Sequence, residues 1–222
     1  MNPVLKQLVL KDLRLNLPIM SMMTGAGLLA LVLVVLGGRV GYAVGGILFI
    51  TAFIAGGIFI GSYCIVQERK EQSSLFALSL PVSVMQLSAQ KLIAALLIFI
   101  GPWIVLTLAS SSVALIVDRI PDGLVVYSLL IAGASLATTC AFFALVSVAT
   151  SEAASGFGIL TLNMAFTLLM VSLGQPEWRE PLSTTQIVWP GYALMLFAGE
   201  AAIVVVSLVL AAALLSRRRE AF

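Results

Sequence analysis

The chain has 222 residues, of which 61% are hydrophobic and only 10% charged, with a mean hydropathy of +1.13 and a formal net charge of +2. Soluble domains carry roughly 25% charged residues, so this composition excludes a water-soluble globule and leaves an integral membrane protein. Histidine is absent, which removes the commonest general base and metal ligand, and Cys64 and Cys140 sit in apolar runs as buried small hydrophobes.

In chain order, Asn2 to Asn16 read as an amphipathic helix. Val4, Leu5, Leu8, Val9 and Leu13 recur at helical spacing, with Lys6, Lys11, Asp12 and Arg14 largely between them; such a helix lies in the membrane interface. A charged start of this kind is not a cleavable signal sequence. The first span follows over Pro18–Leu36, close to the ~20 residues that cross the hydrocarbon. Gly37-Gly38-Arg39 makes a turn, and the second span covers Ala43–Val66. Its Gly57 and Gly61 form a Gly-x-x-x-Gly pair, which reads as a packing face and also as a candidate hinge. A polar loop, Gln67 to Lys91, leads to a third span over Leu92–Val117. Pro102 lies inside that span and removes a backbone hydrogen bond, a second candidate hinge. Asp118, Arg119, Pro121 and Asp122 form the next loop. The fourth span is Leu124–Ala149 and the fifth Ala153–Leu173, with a tight turn at Ser151-Glu152 between them. An outer loop, Gly174 to Pro190, carries Trp178 and Trp189 as interfacial anchors. The sixth span, Tyr192–Leu215, ends in Arg217-Arg218-Arg219.

The expected fold is therefore all-α: an N-terminal amphipathic helix (residues 1–16) and six transmembrane helices in one domain over residues 1–222. Residues 1–117 and 118–222 show no matching repeat, and six spans put both termini on one side. Nine of the twelve Lys and Arg then share that side, namely Lys6, Lys11, Arg14, Arg69, Lys70, Lys91 and Arg217 to Arg219. Only Arg39, Arg119 and Arg179 lie opposite. By the positive-inside rule the termini and the 67–91 loop are cytoplasmic.

No phosphate-binding loop, His-Glu-x-x-His, Cys-x-x-Cys or Gly-x-Ser-x-Gly motif occurs. The chain offers no catalytic residue, metal site or nucleotide site of its own, and nothing in it reads as a nucleic-acid surface. One ionisable residue stands deep in a span. Glu200 is about nine residues into the sixth helix, some 13 Å at ~1.5 Å per residue. A carboxylate at that depth faces a bundle interior or a water-filled cavity, with Asn163, Thr138 and Thr139 as candidate polar partners. The 67–91 loop is also longer than two antiparallel helices need. It mixes Glu68, Arg69, Lys70 and Glu71 with apolar Leu75, Phe76, Leu78 and Leu80, which suits a short helix seated in a partner's groove.

At these residues the chain resembles the membrane subunit of a type 2 ABC exporter. Lys11-Asp12-Leu13-Arg14-Leu15-Asn16 is similar to that family's elbow helix. Glu68, Ser79-Leu80-Pro81-Val82-Ser83 and Lys91 resemble its cytoplasmic coupling element. Gln72-Ser73-Ser74 stands where many relatives have Gly-Thr, and Val84-Met85 where basic residues often follow the proline. The resemblance implies a compact bacterial inner-membrane permease that works as a dimer with a second, identical or paralogous copy. It implies a separate phosphate-loop ATPase, in two copies, that binds ATP and Mg2+ and docks on Glu68 to Glu71, Phe76, Leu80 and Pro81. The cargo would be a hydrophobic or amphipathic peptide, lipid or drug. A haem-exporter-like membrane subunit shares the outline, and a secondary transporter or channel using Glu200 is the other alternative.

Overall fold

The computed structural model describes residues 3–67, 84–149 and 152–217. Helix α1 (Pro3–Leu15) is parted from α2 (Leu17–Leu36) by Asn16 alone. Helix α3 (Gly38–Gly61) runs on through one wider, π-helical turn at Ser62–Gln67. Then come α4 (Val84–Ile116), α5 (Leu124–Val148) and α6 (Glu152–Leu173). A one-turn helix, α7 (Pro176–Arg179), a 3-10 turn (Glu180–Ser183) and α8 (Gly191–Arg217) complete the described chain, which contains no strand. Six of these helices, α2 to α6 and α8, are long and apolar enough to cross a membrane, as the sequence predicts.

Two boundaries differ from expectation. The turn expected over Gly37 to Arg39 shrinks because α3 already begins at Gly38. Gly38 takes a φ of +57°, a conformation that residues with a Cβ rarely adopt, and this reverses the chain within one residue. Helix α4 begins at Val84, so the last part of the segment read as a loop, up to Lys91, is helical. Its polarity reflects a helix projecting beyond the apolar layer, where water and α1 take the place of lipid.

In lipid, apolar faces need no burial, and helix association rests on close packing. The burial pattern identifies the organising element on that basis. About 61% of the α5 span is buried, against 17% in α6 and α8, and α5 contacts α3, α4, α6 and α8. Phe53 and Ile60 of α3, Ile98, Phe99 and Leu106 of α4, and Phe143 and Val146 of α5 are almost fully buried in one cluster. A second cluster closes the opposite end, with Val126 and Leu130 of α5 against Leu173, Leu182 and Ala193. Helices α2 and α3 form a tight hairpin in which a Cβ on Gly45 would lie 2.6 Å from the Ala30 carbonyl oxygen. Gly57 abuts Thr139, and Gly61 abuts Phe142 and Phe143. The Gly-x-x-x-Gly pair is thus a packing face against α5. Helix α4 runs without a break through Pro102, which is buried.

Trp178 and Trp189 are held by the start of α8. Trp178 packs edge-on to Tyr192 at 4.7 Å between ring centres, and the Tyr192 hydroxyl donates to the Trp178 carbonyl at 2.6 Å. Trp189 meets Phe197 at 6.0 Å.

Candidate functional site

At one end of the bundle α1 lies along the start of α4, and polar side chains stitch the two together. Gln90 Nε2 donates to Asp12 Oδ2 at 2.7 Å. Asn16 Nδ2 donates to the Asp12 carbonyl at 2.8 Å, while its Oδ1 is buried without a hydrogen-bond partner. Lys91 is half-buried with Asp12, Lys11 and Cys64 as its charged or polar neighbours. Two parts of the candidate coupling apparatus, Lys11-Asp12 and Lys91, therefore meet in space, and Cys64 brings the π-helical turn at the end of α3 to the same place. Arg14 is exposed beside them. Gln90 was not singled out from the sequence, although its position immediately before Lys91 was the available signal. The coupling residues Glu68, Arg69, Lys70, Glu71, Phe76, Leu80 and Pro81 lie outside the described residues.

The second feature is mid-membrane. Glu200 is only 7% exposed, and neither carboxyl oxygen has a hydrogen-bond partner. Its carboxyl group rests against the backbone of Gly133 on α5, in a notch that a Cβ at Gly133 would fill, with the Phe197 ring alongside. The polar partners expected from the sequence are not there. Thr138 donates to its own helix at the Ala134 carbonyl, 2.8 Å. Together with Ser135, Thr139 and Asn163 it lines a separate small cavity of about 20 Å³ beside Gly57. Thr138 and Thr139 lie five and six residues on from Gly133, well over about 100° round α5 from it at ~3.6 residues per turn, which is why they miss Glu200. A cavity of that size holds about one water molecule, far less than a cargo.

A tether crosses from α4 to α5 next to the Glu200 notch. Trp103 Nε1 donates to the Ala132 carbonyl at 2.8 Å, and Ser135 Oγ donates to the same oxygen at 2.8 Å. Towards the α1 end, an apolar groove of about 490 Å³ opens between α5, α6 and α8, walled by Ala141, Ala144, Leu145, Leu162, Leu210 and Leu214. Among the described residues no group of three or more Cys, Asp or Glu converges as a metal site would require.

A sequence-family model described as "ABC-2 family transporter protein" matches residues 7–216, nearly the whole chain. No curated protein and no solved structure matches it.

Proposed function

The chain belongs to the ABC-2 family of transporter proteins and is a multi-pass permease subunit of an ABC transporter, and from that premise we propose that it is the export channel half of an ATP-driven exporter. Two such permeases, identical or paralogous, enclose the translocation path, and two copies of a phosphate-loop ATPase, which hold ATP and Mg2+, supply the energy. The chain itself carries out no chemical step. The observation that carries the coupling part of this reading is the α1–α4 junction, where Gln90 holds Asp12 beside Lys91. The segment from Glu68 to Ser83 leaves the π-helical turn and rejoins the chain at the start of α4. An ATPase seated on that segment moves α4 directly, and through Asp12 and Gln90 it moves the elbow helix α1 with it. Both termini face the cytoplasm of a bacterial inner membrane, following the charge asymmetry of the sequence. The apolar groove beside α6 and α8 suits a hydrophobic or amphipathic cargo.

The test is deletion of Glu68 to Glu71 in the permease co-expressed with its ATPase. Membrane insertion should persist while ATPase stimulation and transport are lost; full transport with unchanged ATPase co-purification overturns the reading. One observation favours a second reading, a secondary transporter, because Glu200 is buried in the membrane without a hydrogen-bond partner. Transport driven by a proton gradient in vesicles free of ATPase, and abolished by Glu200→Gln, would establish it.

A further inference from the structure

The end of the bundle away from α1 holds a cavity of about 310 Å³ where α2 ends, α3 begins and α4 passes into α5. This is the lower end of the ~300–1,000 Å³ range of ligand pockets. Its charged and hydroxyl-bearing lining comes from three separate parts of the chain: Tyr42 on α3, Arg119 in the α4–α5 connection and Arg179 on α7. All three side chains carry hydrogen-bond donors. Tyr127 adds a second phenol next to Tyr42 and Arg179. The connections at this end also contain Asp118, Asp122, Glu177 and Glu180, yet none of these carboxylates lines the cavity.

That segregation is the informative point. Only three of the twelve Lys and Arg are expected on this side, and arginine is disfavoured there relative to the other. Two of the three nevertheless come from positions sixty residues apart to one cavity. A planar guanidinium matches the oxygens of a phosphate group better than an ammonium does. The rest of the wall is apolar and belongs to the span ends, with Val34 and Val35 in the last turn of α2 and Leu124 in the first turn of α5. A free anion has no use for such a wall, whereas the first carbons of an acyl chain do.

We propose that this cavity binds the phosphate head group of an anionic membrane lipid, with Arg119 and Arg179 as its charge partners, Tyr42 as a neutral donor, and Val34, Val35 and Leu124 against the glycerol and upper chain. The site is independent of the coupling apparatus at the other end of the bundle.

Native mass spectrometry of the purified full chain in detergent, titrated with dioleoylphosphatidylglycerol or with neutral dioleoylglycerol, tests the assignment. The wild-type protein should retain the anionic lipid and not the neutral one. Arg119→Gln and Arg179→Gln should each weaken retention about fivefold, a modest factor because both side chains are exposed and screened, and the double variant should bind scarcely at all. Arg39→Gln, an exposed arginine of the same end outside the cavity lining, should retain the lipid fully. All four variants should melt at the wild-type temperature. Equal losses in Arg39→Gln, or undiminished retention in the double variant, overturn the site. Complete displacement of the lipid by millimolar inorganic phosphate overturns the lipid assignment in favour of a soluble phosphate.

Discussion

Replacing Glu200 by Met separates a structural carboxyl from a functional one. Methionine keeps the length of the side chain and removes both oxygens. In the protein those oxygens are buried against Gly133 with no hydrogen-bond partner, and a buried polar group left unpaired costs about 1–3 kcal/mol. Met also fills irregular space readily, and the Phe197 ring beside the notch offers it a partner. Glu200→Met should therefore stabilise the protein by about 1–3 kcal/mol, whereas Glu200→Gln, which merely exchanges one unpaired polar head for another, should stay within about 1 kcal/mol of the wild type. Reversible unfolding in mixed micelles, followed by helical circular dichroism, measures both. If the group serves transport, the stabilised Met variant should be the less active one, the usual cost of polar residues kept for function. A Met variant less stable than wild type by more than about 1 kcal/mol refutes the reasoning, because it would mean that the carboxyl gains a partner in the assembled transporter.

Neighbouring glycines provide a second contrast. Gly45→Ala forces a methyl group to 2.6 Å from the Ala30 carbonyl oxygen and should cost about 1–3 kcal/mol by overpacking. Gly46→Ala, with nothing within 4 Å, should be neutral or stabilise by up to about 1 kcal/mol; the same micelle unfolding assay distinguishes them. Gln90→Leu removes the donor to Asp12, and with that junction only partly buried it should cost about 1–2 kcal/mol, with a larger fractional loss in ATPase stimulation than in expression. Trp103→Phe loses the indole bond to the Ala132 carbonyl. That oxygen keeps the Ser135 hydroxyl, so thermal denaturation should show a loss of only about 1 kcal/mol rather than the penalty of an orphaned buried acceptor.

The six spans were legible because an apolar run long enough to cross the hydrocarbon has few other fates. The depth of Glu200 followed from counting along one helix. What lay across from it did not, since the decisive neighbour, Gly133, acts through the side chain it lacks and leaves no mark in a hydropathy pattern. The threonines proposed as partners failed for a related reason: facing requires a rotational register between α5 and α8, and sequence spacing within α5 alone does not supply it. The helical start of α4 was hidden by its polarity. Gln86, Gln90 and Lys91 read as loop because the sequence does not reveal that α1 will cover one side of that turn. The meeting of Arg119 with Arg179 was equally out of reach, being set by how the α4–α5 connection and α7 fold over the same end.

The arrangement of contacts also constrains how a push at the α1 end of the bundle can travel. Bending α3 at Gly57 or Gly61 would pull them off Thr139 and Phe142, which they touch directly, so these glycines serve first as contact points with α5. Helix α4 in turn is tied to α5 by the Trp103–Ala132 bond in the middle of the span and by the Phe99 and Phe143 cluster. Displacing the start of α4 therefore drags α3 and α5 with it as one packed body, because well-packed cores shift between discrete arrangements rather than deforming smoothly. Helix α6 is sparsely buried, and the apolar groove between it, α5 and α8 is where a displacement of the packed body meets least resistance. Helix α8, by contrast, packs closely along α5 and places the Glu200 carboxyl against Gly133, so relative movement is expected at the α5–α6 contact.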